Sequence, residues 1–239
     1  MSAPMRATVE TPRRPAGPDI ATRQAQDVLR LPFPPTVLAV AGCSGSGKTT
    51  LANELARLLH GLRFHLDDYY LDLGDLPLEE RVKKNFDDPA LIEVPLLERH
   101  IAALARGESI ERPCYDFGTY TRIAGRTQTV NAGPFLVVEG IFALYYPELF
   151  PYYHLRVFID TPDALCFERR LKRDMEERGR SPESVEYQWK FRVRPSSVAF
   201  VRPSAEHADL VVDGSGALDW KVERVLTEMR KRGLLTGAG

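Results

Sequence analysis

A glycine-rich string that follows a short apolar run is the feature that most constrains the fold of this chain. Residues 36–41 read TVLAVA, which is typical of a buried parallel strand, and residues 42–49 follow at once as GCSGSGKT. Leucines at positions 51, 55, 58 and 59 then repeat with a helical period that ends at Gly61. A strand, a GxxxxGK[ST] loop and a helix in this order predict a phosphate-binding loop at a helix N-terminus.

The residue types in the loop fit the phosphates of ATP. Glycines let backbone N–H groups turn toward the β-phosphate, Lys48 would bridge the β- and γ-phosphates, and the Thr49 hydroxyl would ligate Mg²⁺. The alternative is a glycine-rich turn without a ligand, which the flanking strand and helix disfavour. The predicted ATP-binding residues are Gly42, Cys43, Ser44, Gly45, Ser46, Gly47, Lys48, Thr49 and Thr50.

Alternating apolar patterns extend the first unit into an α/β fold. Further strands are predicted at residues 63–66, 135–138, 155–159 and 209–212, and further helices at 91–106, 164–178 and 217–232. This order predicts a three-layer P-loop NTPase fold with a mainly parallel five-stranded sheet. Residues 109–130 interrupt the alternation and predict a β-hairpin insertion.

Composition and length bound the remaining organisation. The chain has 239 residues, 44% apolar residues and a formal net charge of −1, which fits one domain over residues 31–239 after an N-terminal tail, 1–30. The tail is rich in Pro, Ala, Thr and Arg, so we expect disorder, with a short helix over 20–31. Balanced charge argues against nucleic-acid binding, and no apolar run is long enough to span a membrane. Three scattered cysteines favour neither disulfides nor zinc, so a cytoplasmic protein is expected.

Acidic residues follow two of the predicted strands. Glu139 ends the apolar run FLVVE, where an acid in a P-loop protein orients Mg²⁺. Asp67 and Asp68 follow the second strand, and a carboxylate there can accept the proton of an attacking hydroxyl. Either aspartate could instead cap a helix, and the pattern alone does not choose between them.

The run RRLKRDMEERGR, residues 169–180, combines arginines with interleaved acids. An exposed helix with salt bridges would have the same pattern. A P-loop kinase also needs a lid that brings positive charge to the phosphoryl group and excludes water. We therefore predict a helical lid over residues 165–190.

Together these strings resemble the uridine kinase (uridine–cytidine kinase) family across residues 36–213. The matching strings, in the family's order, are GCSGSGKTT, DDYY, NFDDP, YDFGTYTR, VVEGI, FIDTPDA, RRLKRDMEERGR and FVRPSAEHADLVV. The resemblance implies transfer of phosphate from ATP to the 5′-hydroxyl of uridine or cytidine. It also implies a small-molecule nucleoside partner and, from relatives that are often tetramers, a homo-oligomer.

The resemblance also implies a role for each matched residue. Asp67 falls on the catalytic carboxylate, with Lys48, Arg173 and Arg178 acting on the phosphates, and Asp67 joins Thr49 and Glu139 at the metal. Asp87 falls on the acid that binds the ribose hydroxyls. The implied nucleoside-binding residues are Tyr70, Asp87, Tyr115, Phe117, Tyr120, Arg170, Arg180 and Gln188.

The chain departs from the family pattern in three places. Tyr120 stands where the family has a base-reading histidine, and a tyrosine that gave its proton to a neighbour would accept only and would favour cytosine. Residues 85–93 read NFDDPALIE, so the surroundings of Asp87 differ. Residues 213–216 read DGSG where the family has a basic loop near adenine.

Three other functions remain open at this point. A related P-loop kinase could act on another small alcohol, as phosphoribulokinase and pantothenate kinase do, although NFDDP and YDFGTYTR favour a nucleoside. A nucleotide-sensing protein is a second alternative, although a guanine-reading NKxD string is absent. A purely structural member is a third, against which Lys48, Asp67 and Glu139 argue.

Overall fold

The computed structural model describes residues 34–235 of the chain. The predicted tail over residues 1–30 and the predicted helix over residues 20–31 lie outside the described residues. No helix within residues 34–235 is both long enough and apolar enough to cross a bilayer.

Seven strands and six longer α-helices make up most of the described domain. The strands are β1 (Thr36–Gly42), β2 (Leu62–His65), β3 (Ile110–Asp116), β4 (Thr121–Val130), β5 (Phe135–Glu139), β6 (Leu155–Asp160) and β7 (Leu210–Asp213). The helices are α1 (Lys48–Leu58), α2 (Leu78–Lys83), α3 (Val94–Ala105), α4 (Asp163–Arg178), α5 (Pro182–Gln188) and α6 (Leu218–Lys231).

The main sheet has five strands in the order β2-β5-β1-β6-β7, and every neighbouring pair is parallel. This confirms the predicted parallel five-stranded sheet. Because all five strands point the same way, their carboxyl ends meet at one edge, where ligands bind in open α/β sheets. That edge carries the loop after β1 and the acids after β2 and β5.

Two apolar cores lie on opposite faces of the sheet, because successive side chains of each strand alternate between its faces. One core contains Leu97 and Ile101 of α3, and the other contains Leu55 of α1 and Val225 of α6. All four side chains are fully buried, and each such side chain stabilises the fold by about 1.5–3 kcal/mol. Helices on both faces give the three layers that the sequence predicted.

The predicted insertion is an antiparallel two-stranded sheet of β3 and β4. Its tip lies between Asp116 and Thr121, where Tyr120 has a left-handed backbone with φ of 56°. The hairpin is therefore a second sheet, and it is tied to the rest of the domain by the ion pairs of Arg112 with Asp68 and of Arg122 with Glu93.

Boundaries and one whole segment differ from the sequence predictions. The helical period predicted to end at Gly61 stops earlier, at Leu58, since His60 has φ of 49° and Gly61 lies against the backbone of Phe135. The region after α5, which received no prediction, is helical with π turns at Trp189–Val193 and Ser197–Val201. A π turn has a wider repeat than 3.6 residues, so its apolar residues do not fall on an α-helical pattern.

Candidate active site

The loop between β1 and α1 has the backbone of an anion-binding site. Gly45 and Gly47 have φ of 85° and 96°, a region that side chains other than glycine rarely adopt. A Cβ at Gly45 would also lie 2.2 Å from the Cys166 carbonyl oxygen. No side chain caps the N-terminus of α1, so its first N–H groups and its partial positive charge are available to a phosphate.

Polar groups of the loop remain without a protein partner. Lys48 forms no ion pair with a carboxylate among residues 34–235, and the buried Ser46 hydroxyl has no hydrogen-bond partner there. Thr49 and Thr50 are exposed in the first turn of α1. An unpaired ammonium, exposed hydroxyls and uncapped amides together fit the polyphosphate of ATP.

Cys43 and Ser44 connect the loop to other parts of the structure. The Cys43 sulfur lies 2.8 Å from the Ser197 hydroxyl, and Ser44 accepts a hydrogen bond of 2.7 Å from Arg170. Both loop residues are buried. Side chains therefore connect the loop to Arg170 in the predicted lid and to Ser197 in the helical segment that follows it.

The carboxylate at the end of β5 faces the first turn of α1. The Thr49 hydroxyl lies 3.2 Å from Glu139 Oε2, and His65 Nδ1 lies 2.5 Å from Glu139 Oε1. Burial raises the pKa of Glu139, but the hydrogen bond from His65 and the charge of Lys48 outweigh it, and the pKa lies below its ordinary value. An ionised carboxylate beside a threonine hydroxyl is an oxygen donor set that fits Mg²⁺.

Asp67 and Asp68 have different surroundings at the end of β2. Asp68 pairs with Arg112 of β3 at 2.8 Å. Burial and the negative charge of Glu139 raise the pKa of Asp67, although Lys48 and His65 oppose this. The residue before their short 3₁₀ helix is His65, and neither aspartate caps it. Asp67 is therefore the carboxylate that remains available for chemistry.

An aromatic pocket lies between the end of β2 and the hairpin. Ring centroids are 5.2 Å apart for Tyr70 and Phe86, 5.4 Å for Tyr70 and Tyr115, and 5.5 Å for Phe86 and Tyr120. Phe117 packs on Tyr115 at 5.0 Å and is otherwise exposed at the hairpin tip. Such a set of rings can contact a flat heterocycle.

The pocket also contains polar groups without partners. The Tyr115 hydroxyl is buried and has no hydrogen-bond partner among the described residues. Asp87 forms no ion pair within this part of the chain. Burial raises its pKa, and the charges of Arg170 and Lys48 oppose this only in part. The Tyr70 hydroxyl donates to the carbonyl oxygen of Phe86 at 2.7 Å, which places the Tyr70 side chain beside the residue that precedes Asp87. The pocket thus combines apolar walls with hydrogen-bonding groups suited to a polar ligand.

A single carboxylate organises the arginines of the predicted lid. Asp174 is fully buried and lies 2.7 Å from Arg173, 2.8 Å from Arg180, 3.5 Å from Arg178 and 3.6 Å from Arg170. Burial raises the pKa of Asp174, but the charges and hydrogen bonds of Arg170 and Arg173 lower it below its ordinary value. The four arginines thus carry more positive charge than Asp174 can neutralise.

The arginines also contact other predicted site residues. Gln188 accepts hydrogen bonds from Arg170 at 3.3 Å and from Arg180 at 3.1 Å. Arg170 links this group to the phosphate-binding loop through Ser44, and its pKa is influenced by Asp87. Arg178 is close enough to Asp67 for that charge to act on its pKa. The lid therefore lies between the loop and the aromatic pocket.

Several of these residues were missed by the sequence analysis. Asp174 appeared there as one of the acids of an exposed helix, and only its complete burial distinguishes it from Glu176 and Glu177. His65 and Phe86 carried no signal by themselves, although Phe86 lies within the matched string NFDDP and His65 lies two residues before DDYY. The loop after β7 has no room for a side chain at Gly214, where a Cβ would lie 1.8 Å from the Thr161 hydroxyl.

Comparisons with known proteins identify the family of this chain. The family described as "Phosphoribulokinase / Uridine kinase family" matches residues 37–219. A relative named uridine kinase from Chloroflexus aggregans is 42% identical over 200 residues, which cover 81% of this chain and 95% of the relative. A protein of the same name from Deinococcus deserti is 42% identical over 200 residues, which cover 81% of this chain and 96% of that relative.

A solved structure supports the fold independently. A candidate fructose transport system kinase from Silicibacter sp. TM1040 superposes with a TM-score of 0.60 at 23% identity, covering 80% of this chain and 97% of that one. At this identity the likeness concerns the fold alone. The family match covers most of the chain, and the two relatives are nearly full-length matches. This protein therefore belongs to the phosphoribulokinase/uridine kinase family and is a kinase.

Proposed function

We propose that this kinase transfers the γ-phosphate of ATP to the 5′-hydroxyl of uridine. The observation that carries the proposal is the position of Asp67, which follows β2 at the sheet edge that carries the phosphate-binding loop and Glu139. Three residues later, the Tyr70 hydroxyl donates to the carbonyl oxygen of Phe86, the residue before Asp87. The first relatives bear the name uridine kinase, which supports the choice of acceptor.

In this mechanism each part of the site has one task. Asp67 accepts a hydrogen bond from the 5′-hydroxyl, orients it toward the phosphoryl group and takes its proton. Lys48, Arg173 and Arg178 neutralise the phosphate charge. To do so, the two arginines either break their ion pairs with Asp174 or contact Asp174 and the phosphates at the same time. The pKa of Asp67 is raised toward neutral pH, and a general base works best when its pKa lies near the working pH.

The metal and the acceptor pocket complete the proposal. Thr49, Glu139 and Asp67 would hold Mg²⁺, which supplies charge neutralisation at the phosphates when it is bound. Asp87 accepts hydrogen bonds from the ribose hydroxyls, and Tyr70, Tyr115, Phe117 and Tyr120 contact the base. Arg170, Arg180 and Gln188 close the pocket from the lid. A cytoplasmic location and a homo-oligomeric state remain predictions.

The sequence-based hypothesis of a cytidine preference loses its stated basis. It required Tyr120 to give its proton to a neighbour, and within residues 34–235 the Tyr120 hydroxyl donates to no residue. A free hydroxyl can donate to uracil O4 or accept from the cytosine amino group. We therefore propose uridine as the substrate and cytidine as a second acceptor of similar reactivity.

An ADP-release assay over a panel of acceptors tests the proposal. We expect turnover with uridine and cytidine, much less with 2′-deoxyuridine, and none with pantothenate or ribulose 5-phosphate. Turnover with either of the last two compounds, but not with uridine, would assign the site to another small alcohol. ADP release without any acceptor would instead identify a nucleotide hydrolase or sensor.

A further inference from the structure

Two cationic side chains lie beside the phosphate-binding loop and have no place in the mechanism above. Arg169 belongs to α4 and Lys221 to α6. A methyl group at Gly47 would lie 3.8 Å from Arg169 Nη1 and 3.9 Å from Lys221 Nζ. Both cations therefore flank the residue that immediately precedes α1.

The two cations share one neutral acceptor. Arg169 Nη1 donates to the Gly214 carbonyl oxygen at 3.0 Å and to that of Ser46 at 3.4 Å, and Lys221 Nζ donates to Gly214 at 3.4 Å. Neither side chain has a carboxylate within 4 Å among the described residues. Asp213, the acid that directly precedes Gly214, accepts instead from the backbone N–H and hydroxyl of Ser215.

This arrangement leaves positive charge unbalanced in a confined place. Lys221 is only 6% exposed, although a lysine ammonium has three donors and normally stays in water. Burial and the charge of Arg169 lower the pKa of Lys221, as expected for two cations held close together. An anion placed between them would remove the repulsion and satisfy the remaining donors.

The sheet order indicates which part of ATP lies there. Asp67 and Glu139 follow β2 and β5, on one side of β1, and the γ-phosphate must face them for transfer. Arg169 and Lys221 lie by the ends of β6 and β7, on the other side of β1. A triphosphate that crosses the loop from the γ end therefore has its α-phosphate next to these two cations.

We propose that Arg169 and Lys221 bind the α-phosphate of the donor nucleotide. The inference rests on the proposed use of ATP, and it adds two donor-binding residues to the site. The contact holds the nucleotide at its α-phosphate, while Lys48 and the lid arginines act on the β- and γ-phosphates. The alternative is a purely structural pair that ties the loop after β7 to the phosphate-binding loop through Gly214.

The test measures dissociation constants of ATP, ADP, AMP and adenosine by competition against a fluorescent ATP analogue. In Lys221→Met we expect ATP, ADP and AMP to bind about tenfold more weakly, all by the same factor, while adenosine changes less than twofold. Lys231→Met is the matched control, because this exposed lysine lies on the same helix, and its affinities should change less than twofold. Lys221→Arg should restore ATP affinity to within threefold of the wild type.

Other patterns would overturn the inference. Weaker binding of ATP and ADP with unchanged binding of AMP would place the contact at the β- or γ-phosphate. An equal loss of affinity for adenosine would place it at the base or ribose. A lower Tm with unchanged affinities would identify a structural pair. If Lys221→Met does not fold, Arg169→Gln carries the same test, since its amide can still donate to Ser46 and Gly214. Wild-type enzyme that binds ATP but does not phosphorylate uridine would contradict the proposed function and leave this inference measurable.

Discussion

Two carboxylates of the site, Asp67 and Asp174, meet opposite electrostatic surroundings. Asp67 lies near Glu139 without an ion pair in the described chain, and its pKa is raised. Asp174 is fully buried but contacts four arginines, and its pKa is lowered. A carboxylate that has no fixed partner can exchange a proton with a substrate, whereas one with four arginine partners is held ionised at neutral pH. The first surroundings suit catalysis and the second suit the positioning of other groups.

The largest expected effect is that of Asp67→Asn, which removes the proton acceptor while it preserves the shape of the side chain. We expect kcat to fall about 10³-fold, within the range for general-base groups, while the dissociation constant of ATP changes less than threefold. Steady-state kinetics with uridine and direct ATP titration check both values.

Asp68→Asn is the matched control for that variant. Asp68 pairs with Arg112 on the neighbouring strand, so its loss should leave kcat within about threefold of the wild type. A larger loss of kcat for Asp68→Asn than for Asp67→Asn would reverse the assignment of the two aspartates.

Asp174→Asn should chiefly destabilise the protein, because it leaves the nearly buried Arg170 and three further arginines without their counter-ion. We expect the free energy of unfolding to fall by about 3 kcal/mol, since removing one partner of a buried ion pair is costly. Urea unfolding measures this loss, and kcat should also fall because the lid arginines lose their common anchor. Glu176→Gln, on the exposed side of the same helix, should change the free energy by less than about 0.5 kcal/mol.

Wild type and Asp174→Asn can also be compared at different pH values, which tests whether the pKa of Asp174 is lowered on folding. The pKa of Asp174 is lower in the folded protein than its ordinary value, so its stabilisation is fully present above about pH 4. The stabilisation is lost as the pH falls from there through the folded pKa. The difference in unfolding free energy between wild type and Asp174→Asn should therefore be constant from pH 7 to pH 5 and should shrink only in stronger acid. A difference that shrinks between pH 7 and pH 5 would contradict the ionised assignment.

The contrast between the two carboxylates also explains what the sequence could predict. The phosphate-binding loop and the strands were predictable, since glycine spacing and apolar runs are local requirements of the backbone. Asp67 and Asp68 could both be predicted at the ligand edge of the sheet because they follow a parallel strand, and only the family resemblance favoured Asp67. Asp174 and Lys221 could not, because each sits in a helix whose pattern also fits an exposed charge. Burial of a single charged side chain depends on packing between distant segments, and no local pattern encodes it.

Asp87 is an intermediate case, partly buried and without an arginine partner among the described residues, and its variant should have a smaller effect. We expect Asp87→Asn to lower kcat/KM for uridine about 30-fold, which is about 2 kcal/mol for hydrogen bonds from the ribose to a charged acceptor. The decrease in kcat/KM for 2′-deoxyuridine should be less than tenfold, because that nucleoside lacks one of the two ribose hydroxyls. Asp88→Asn is the control, since an asparagine can still cap the turn at Ala90. Equal losses for both nucleosides would remove Asp87 from the ribose.

The smallest effect concerns Tyr120, which we propose contacts the base and whose hydroxyl donates to no described residue. Since that hydroxyl can both donate and accept, kcat/KM for uridine and cytidine should differ by less than about tenfold in the wild type. Tyr120→Phe should lower both values about fivefold, which corresponds to one neutral hydrogen bond of about 1 kcal/mol. Tyr187→Phe, an exposed tyrosine elsewhere on the surface, should change neither. A loss for only one of the two nucleosides would mean that the hydroxyl acts as a fixed donor or a fixed acceptor, and the direction of that loss would identify which.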